Sequence, residues 1–270
     1  MAYTLFSGCS YTYGNGFSLE KEDPSLWVNL LHSQNEYLST TKLLNVSRGG
    51  RSNDGIFQDT TYNLLTHNVQ YAFVEWTSVP RYELSLGLEL YETRVSFIPN
   101  ARLYDVNTNQ INYTKNYLDS IRDRFTSLAN EHYEICKLFY FINSLIKLAK
   151  LTDTTIFFVN GACPWDENYF LKLQNVLPNE YTKFTKQLLN VESRDDAEVF
   201  KLYNKIHSEY AAIGSIHEDH WLNLHQSIYT TQVDVNNDGC HPGVISNQNY
   251  FNNFNQILNS KLQATITTLC

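Results

Sequence analysis

The chain has 270 residues, enough to bury a substantial core and more consistent with one elaborated domain than with two small ones. A formal net charge of −8 and a pI near 5.5 argue against nucleic acid or an anionic membrane as a partner, since either requires a basic surface. No stretch reaches the ~18 consecutive apolar residues that a membrane span needs; the best candidate, Ile135 to Leu151, carries Lys137, Lys147 and Lys150 and reads as a core helix.

The amino terminus, MAYTLFSGCS, has neither the basic segment nor the apolar run of a signal peptide, so a cytoplasmic or virion-associated protein is expected. Cys9, Cys136, Cys163, Cys240 and Cys270 are scattered and odd in number, which favours free thiols in a reducing compartment.

In chain order, Ala2 to Phe6 reads as a first strand that runs into the tight turn Ser7-Gly8-Cys9-Ser10-Tyr11-Thr12-Tyr13-Gly14. Ligands of open α/β sheets bind beyond the carboxyl ends of the strands, so Ser10 stands where chemistry would be done. Gly8 and Gly14 let the backbone turn around it. Pro24 to Leu31 has helical spacing, with Pro24 near its start.

Lys42 to Val46 reads as a second strand, followed by a Gly49-Gly50 turn and a helix capped by Ser52 or Asn53 that runs to about His67. Tyr71 to Trp76 is the third strand, with Thr77 and Ser78 directly beyond its end. Three strands thus deliver polar turns to one edge.

From Tyr82 to about Tyr113 the pattern is irregular and suggests an inserted loop or hairpin over the site, with the insertion bounded at about 82–115. Leu118 to Lys150 is helical in spacing, and Thr154 to Gly161 is a buried strand. Two or three helices are expected between Pro164 and Gly214, among them Ala197 to Ala212, and a last short strand at Ile228 to Val233. A polar loop, Asn236 to Gly243, precedes a closing helix from Ser246 to about Leu262. Strands alternating with helices imply a parallel sheet covered on both faces.

A serine hydroxyl becomes a competent nucleophile when a base takes its proton and a carboxylate orients that base. Asp238 and His241 supply the types, and a spacing of three places both in one loop. The oxyanion formed on attack needs preorganised donors, for which the Ser10 N–H and the Gly50 N–H are candidates. As structure alone, Asp-Gly is an ordinary turn, His before Pro an ordinary loop residue and Gly50 an ordinary turn glycine.

Gly8-Cys9-Ser10-Tyr11-Thr12-Tyr13-Gly14 resembles the first block of the SGNH (GDSL-type) hydrolases, Gly-Asp-Ser-Leu-Thr-x-Gly, with Cys9 where the family usually has aspartate. Asn45 to Ser52 resembles the second block, whose glycine corresponds to Gly50, and Asp238-Gly239-Cys240-His241 matches the Asp-x-x-His block near the carboxyl end. The resemblance implies a three-layer α/β/α sandwich of flavodoxin type with a mostly parallel five-stranded sheet. It also implies hydrolysis of an ester or thioester through an acyl-serine, with Ser10 as nucleophile and oxyanion donor, Gly50 as second donor, His241 as base and Asp238 as its orienter.

The third block departs from the family. Where Gly-x-Asn-Asp is usual, Glu75-Trp76-Thr77-Ser78-Val79-Pro80-Arg81 holds no asparagine, so something else must donate, with Thr77, Ser78 and Arg81 as candidates, or activity is reduced. Arg81 also suits a negatively charged substrate, unless it pairs with Glu83.

Two further groupings carry less. His217, His220 and His225 with Glu218 and Asp219 match no familiar zinc spacing, and Cys9 competes with Ser10 as nucleophile only if neighbouring side chains point the same way. No cofactor or metal is expected. The substrate class expected from the breadth of the family is a small ester or an O-acetylated carbohydrate. The alternative is a component of a larger assembly, such as a virus particle, that keeps the hydrolase fold without efficient turnover and associates with partner chains.

Overall fold

The computed structural model describes residues 1–77, 81–85, 94–97, 131–161, 218–223 and 226–269. It divides the chain into two compact units, Met1–Pro164 with His220–Cys270, and Trp165–Asp219. The helices expected between Pro164 and Gly214 lie outside the described residues, as do residues 98–130.

The first unit is built on a parallel sheet of four strands, β1 (Tyr3–Ser7), β2 (Lys42–Asn45), β3 (Val69–Trp76) and, counting a separate hairpin in chain order, β6 (Thr155–Asn160). The spatial order is β2-β1-β3-β6. Register pairs Leu5 with Leu44 on one side and with Ala72 on the other, and Ala72 with Ile156. All three inner pairings are parallel, so every strand ends at the same edge.

Period-two alternation sorts the strand residues between two apolar layers. Phe6, Tyr71, Phe73, Phe157 and Val159 share a core with Trp27, Val28 and Leu31 of α2 (Trp27–Gln34). The closing helix adds Phe251, Phe254, Leu258 and Leu262 to the same core. Phe6 stacks on Phe73, and Trp27 meets both Phe6 and Phe254 edge-on, a preferred aromatic arrangement.

On the other face, α3 (Asn53–Thr66) packs on α4 (Glu131–Leu151), with Phe57 stacked on Phe141 at 4.2 Å. The short helix α1 (Ser10–Tyr13) follows β1, and α5 (Val244–Leu269) closes the chain. Among the described residues no helix is long and apolar enough to cross a membrane.

The expected three-layer parallel α/β fold is the one observed, with four strands instead of five. Ile228 to Val233 is not a strand: Tyr229–Thr231 forms a turn of 3-10 helix. The fifth position is taken by a single parallel bridge between Phe158 and Trp221. Asn223 then interrupts the ladder by bonding the Asn160 backbone with its side chain, accepting from the Asn160 N–H at 2.7 Å and donating to its carbonyl at 3.0 Å. The Ile228 and Tyr229 N–H groups donate to the Asn160 and Gly161 carbonyls at 2.9 Å each before the chain turns into the 3-10 helix.

The second helix starts at Trp27 rather than beside Pro24, and Ser52 caps α3 by accepting from the Gly55 N–H. In the irregular region, β4 (Tyr82–Ser85) and β5 (Arg94–Phe97) pair as an antiparallel hairpin.

Candidate active site

The turns beyond β1, β2 and β3 are tied to one another by hydrogen bonds. The Arg48 N–H donates to the Gly8 carbonyl at 3.2 Å, and Asn45 Nδ2 donates to the Thr12 carbonyl at 3.2 Å. Asn53 clasps the peptide beyond β3, accepting from the Thr77 N–H at 2.9 Å and donating to the Thr77 carbonyl at 3.3 Å. Asn15 lies against Gly49 so closely that a Cβ there would stand 2.9 Å from its amide.

Ser10 opens α1 and is only 6% exposed. As the first residue of a helical turn it has no intrahelical acceptor for its N–H, which is the property an oxyanion donor needs. Its hydroxyl makes a long contact with Cys9 Sγ at 3.9 Å, and no Ser10–His241 hydrogen bond is formed among the described residues. The Gly14 backbone at the end of the turn has φ of 86°, a left-handed value that a side chain would strain.

Asp238 and His241 are brought together. His241 Nδ1 is 2.5 Å from Asp238 Oδ2, while Asp238 Oδ1 accepts from the His241 and Cys240 N–H groups at 3.0 Å each. Partial desolvation pushes this carboxyl up, but those N–H donors and the imidazole outweigh it and hold its pKa at about 2. With Nδ1 occupied, Nε2 remains for proton exchange.

The pair sits on a small hairpin. The Asn236 N–H donates to the His241 carbonyl at 2.7 Å, and Val235 bridges Pro242 in antiparallel fashion. Asp234 caps α5 through the Ile245 and Ser246 N–H groups at 3.0 and 2.7 Å.

Two contacts dock this loop on the serine turn. The Tyr11 ring lies 5.5 Å from that of His241, and Gly16, with φ of 88°, approaches so closely that a Cβ would fall 2.8 Å from Asp238 Oδ2. Asn247 locks the arrangement from behind. Its Oδ1 accepts from the Trp27 N–H at 3.0 Å while its Nδ2 donates to the Pro242 and Gly243 carbonyls at 3.2 and 2.9 Å. Trp27 Nε1 in turn donates to the Tyr11 carbonyl at 3.3 Å.

Gly50 has φ of 74° in the turn after β2, where the left-handed backbone favours glycine. Thr77 is buried, with its hydroxyl unpaired among the described residues; Ser78 lies outside them. Arg81 is half-buried, with Nη1 unpaired among the described residues, and its charge acts on Cys9, Tyr11 and Glu75.

Cys9 is fully buried, and burial together with Glu75 pushes its thiol to about 12. A thiol so held stays protonated and is a poor nucleophile. His220 gives Nδ1 to the Ile156 carbonyl at 2.9 Å, and His217 and His225 lie outside the described residues. Asp238, Cys240 and His241 bring three metal-ligating atoms within 4.8 Å, but Oδ2 and Nδ1 already bond each other.

Sequence reasoning passed over Glu75, Asn247 and the clasp made by Asn53, which it named only as a candidate helix cap. A lone carboxylate in the apolar run Tyr71-Ala72-Phe73-Val74-Glu75-Trp76 was the available signal for the first. The two asparagines carried none in so asparagine-rich a chain.

No protein-family model matches the chain, and no curated protein matches it. Among solved structures it is similar to the crystal structure of TesA, at 11% identity and a TM-score of 0.45, over 96% of this chain and 99% of that one. It is similar also to the psychrotrophic esterase EstA from Pseudoalteromonas sp., inhibited by monoethylphosphonate, at 11% identity and a TM-score of 0.44, over 97% of this chain and 100% of that one. The lipase/acylhydrolase from Enterococcus faecalis is a third, at 10% identity and a TM-score of 0.43, over 97% of each chain.

Proposed function

We propose that the protein is a serine hydrolase of SGNH type, cleaving a small ester through an acyl-serine, with an O-acetylated carbohydrate as the substrate class. The observation that carries the reading is the His241–Asp238 pair at 2.5 Å on a loop docked against the turn that bears Ser10.

In this reading His241 Nε2 takes the Ser10 hydroxyl proton as Oγ attacks the ester carbonyl. Asp238 holds the imidazole in the required tautomer and stabilises the imidazolium that forms. Protonated His241 then gives its proton to the leaving alcohol, and water repeats the sequence on the acyl-serine. Hydrogen bonds of this kind are commonly long before substrate binds, which fits a resting Ser10 hydroxyl turned toward Cys9.

The Ser10 and Gly50 N–H groups serve the oxyanion. A missing third donor would cost about 3–4 kcal/mol of transition-state stabilisation. Thr77 is a candidate because its buried hydroxyl is unpaired among the described residues; Ser78 is its neighbour, and Arg81, with Nη1 also unpaired among them, offers a charged N–H for an anionic substrate.

The test is p-nitrophenyl acetate hydrolysis by the wild type, Ser10→Ala, Cys9→Ala and His241→Ala, with fluorophosphonate labelling located by mass spectrometry. Turnover and label lost with Ser10→Ala and kept with Cys9→Ala are expected. No turnover and no label in the wild type would overturn the reading and leave a binding or assembly component on the same fold.

A further inference from the structure

Glu75 stands between Val74 and Trp76 in β3, and all three are buried, Glu75 to 1% exposure. A carboxyl so placed is unfavourable unless hydrogen bonds satisfy it. Four do, all from the serine turn. Oε2 accepts from the Cys9 N–H at 3.1 Å, the Thr12 N–H at 3.1 Å and the Thr12 hydroxyl at 2.5 Å, and Oε1 accepts from the Cys9 thiol at 2.9 Å.

The backbone on either side is shaped to admit it. A Cβ on Gly8 would stand 2.6 Å from Oε2, and one on Gly161, just past β6, would stand 1.9 Å from Oε1. Neither glycine has a positive φ, so space rather than backbone angle demands them.

These bonds answer a local deficit in α1. Its N-cap residue, Cys9, makes no side-chain cap, although the N–H groups of a first helical turn lack intrahelical acceptors. Glu75 accepts the Thr12 N–H from 63 residues away and does what a capping side chain would do. By taking the Cys9 N–H as well, it holds the backbone on both sides of Ser10.

We infer that Glu75 is the positioning residue of the nucleophile turn, a cap delivered from the neighbouring strand that sets the direction of the Ser10 hydroxyl and N–H. Its consequence for catalysis rests on the hydrolase reading; the capping itself does not.

Burial pushes this carboxyl up, while the Cys9 and Thr12 donors and the Arg81 charge draw it back. Two of its donors are peptide N–H groups, so Oε2 remains an acceptor in either protonation state. A glutamine can therefore replace it, with the amide oxygen at Oε2 and the NH₂ toward Cys9 Sγ. Alanine cannot.

The experiment compares the wild type, Glu75→Gln, Glu75→Ala and Thr12→Ala in kcat and KM for p-nitrophenyl acetate and in amide exchange over residues 8–14. Glu75→Ala is expected to lose about 100-fold in kcat at little change in KM, as a displaced nucleophile would, and to lose protection in that segment. Glu75→Gln restores both, and Thr12→Ala shows a smaller loss of the same kind. A folded Glu75→Ala with wild-type kcat and protection would overturn the inference.

Should Glu75→Ala fail to fold, the other two variants decide. Thr12→Ala with unchanged kcat and protection, or Glu75→Gln without rescue, overturns it. If the wild type neither turns over nor labels, the hydrolase reading falls, and exchange at residues 8–14 still decides the cap.

Discussion

The serine turn and the Asp238–His241 loop meet at one site but are held by opposite means. Cys9, Ser10 and Thr12 are buried, and their anchor is Glu75 on another strand, 63 to 66 residues on. Asp238, Gly239 and Cys240 are exposed, and the hydrogen bonds that shape their loop are local, those of Asp238 spanning two to three residues and the Asn236–His241 bond five. Buried polar bonds are expensive to break because the abandoned partner cannot reach water, whereas an exposed loop resolvates. Substitutions that cut the bonds between the turn and Glu75 should therefore disturb fold and chemistry together, and those within the loop chemistry alone.

The largest expected effect breaks the chemistry without touching either anchor. Ser10→Ala removes a hydroxyl whose only described contact is the long one to Cys9, so its unfolding midpoint should match the wild type while kcat falls by on the order of 10⁴ or more. Asp238→Asn follows at about 10²–10⁴. The amide oxygen can keep the Cys240 and His241 N–H bonds, but an NH₂ facing His241 Nδ1 forces the wrong tautomer. A loss of stability comparable to that of a buried polar deletion would contradict the local anchoring of this loop.

Asn247→Ala tests a place where the loop is tied into the core. It leaves the Trp27 N–H without its acceptor and should lower stability by about 1–3 kcal/mol, read as a fall in Tm of roughly 2–4 °C per kcal/mol. Here stability and kcat should fall together, because the same side chain holds the Pro242 and Gly243 carbonyls next to His241.

A smaller, pH-dependent effect sharpens the contrast. The Asp238 pKa lies below its ordinary 3.8, at about 2, so between those values the unfolded chain binds more protons than the folded one. Its contribution to stability is present above about pH 4 and is lost as the pH falls toward 2. Urea midpoints measured from pH 5 to pH 2 should show that part of the slope in the wild type and not in Asp238→Asn.

The same contrast explains what was legible in the sequence. The strands, the capped α3 and the closing helix follow from local apolar period and cap residues, and the Asp238–His241 pairing follows from a spacing of three. Glu75 was not legible, since nothing near it in sequence says that its partners are Cys9 and Thr12. The absent fifth strand has a local reason. Ile228 to Val233 has strand-like composition, and the Ile228 and Tyr229 N–H groups do bond the Asn160 and Gly161 carbonyls at 2.9 Å each, but the Ser227 hydroxyl accepts from the Thr230 N–H and turns the chain into a 3-10 helix at Tyr229–Thr231.

The least disruptive comparison uses the two cysteines that neighbour the candidate nucleophile and base. Cys9 is buried, with its thiol at about 12 and its proton directed to Glu75, so iodoacetamide at neutral pH should leave it unmodified in the native protein. Cys240 is exposed, 3.2 Å from His241 Nδ1, and although burial and Asp238 raise its pKa, the reagent can reach it. Slow alkylation at Cys240 alone of this pair is expected. It should reduce turnover by crowding His241, while Cys240→Ser stays active and becomes insensitive to the reagent. Modification of Cys9 at a comparable rate would mean that the serine turn opens readily, and would set aside the view that Glu75 holds it through the core.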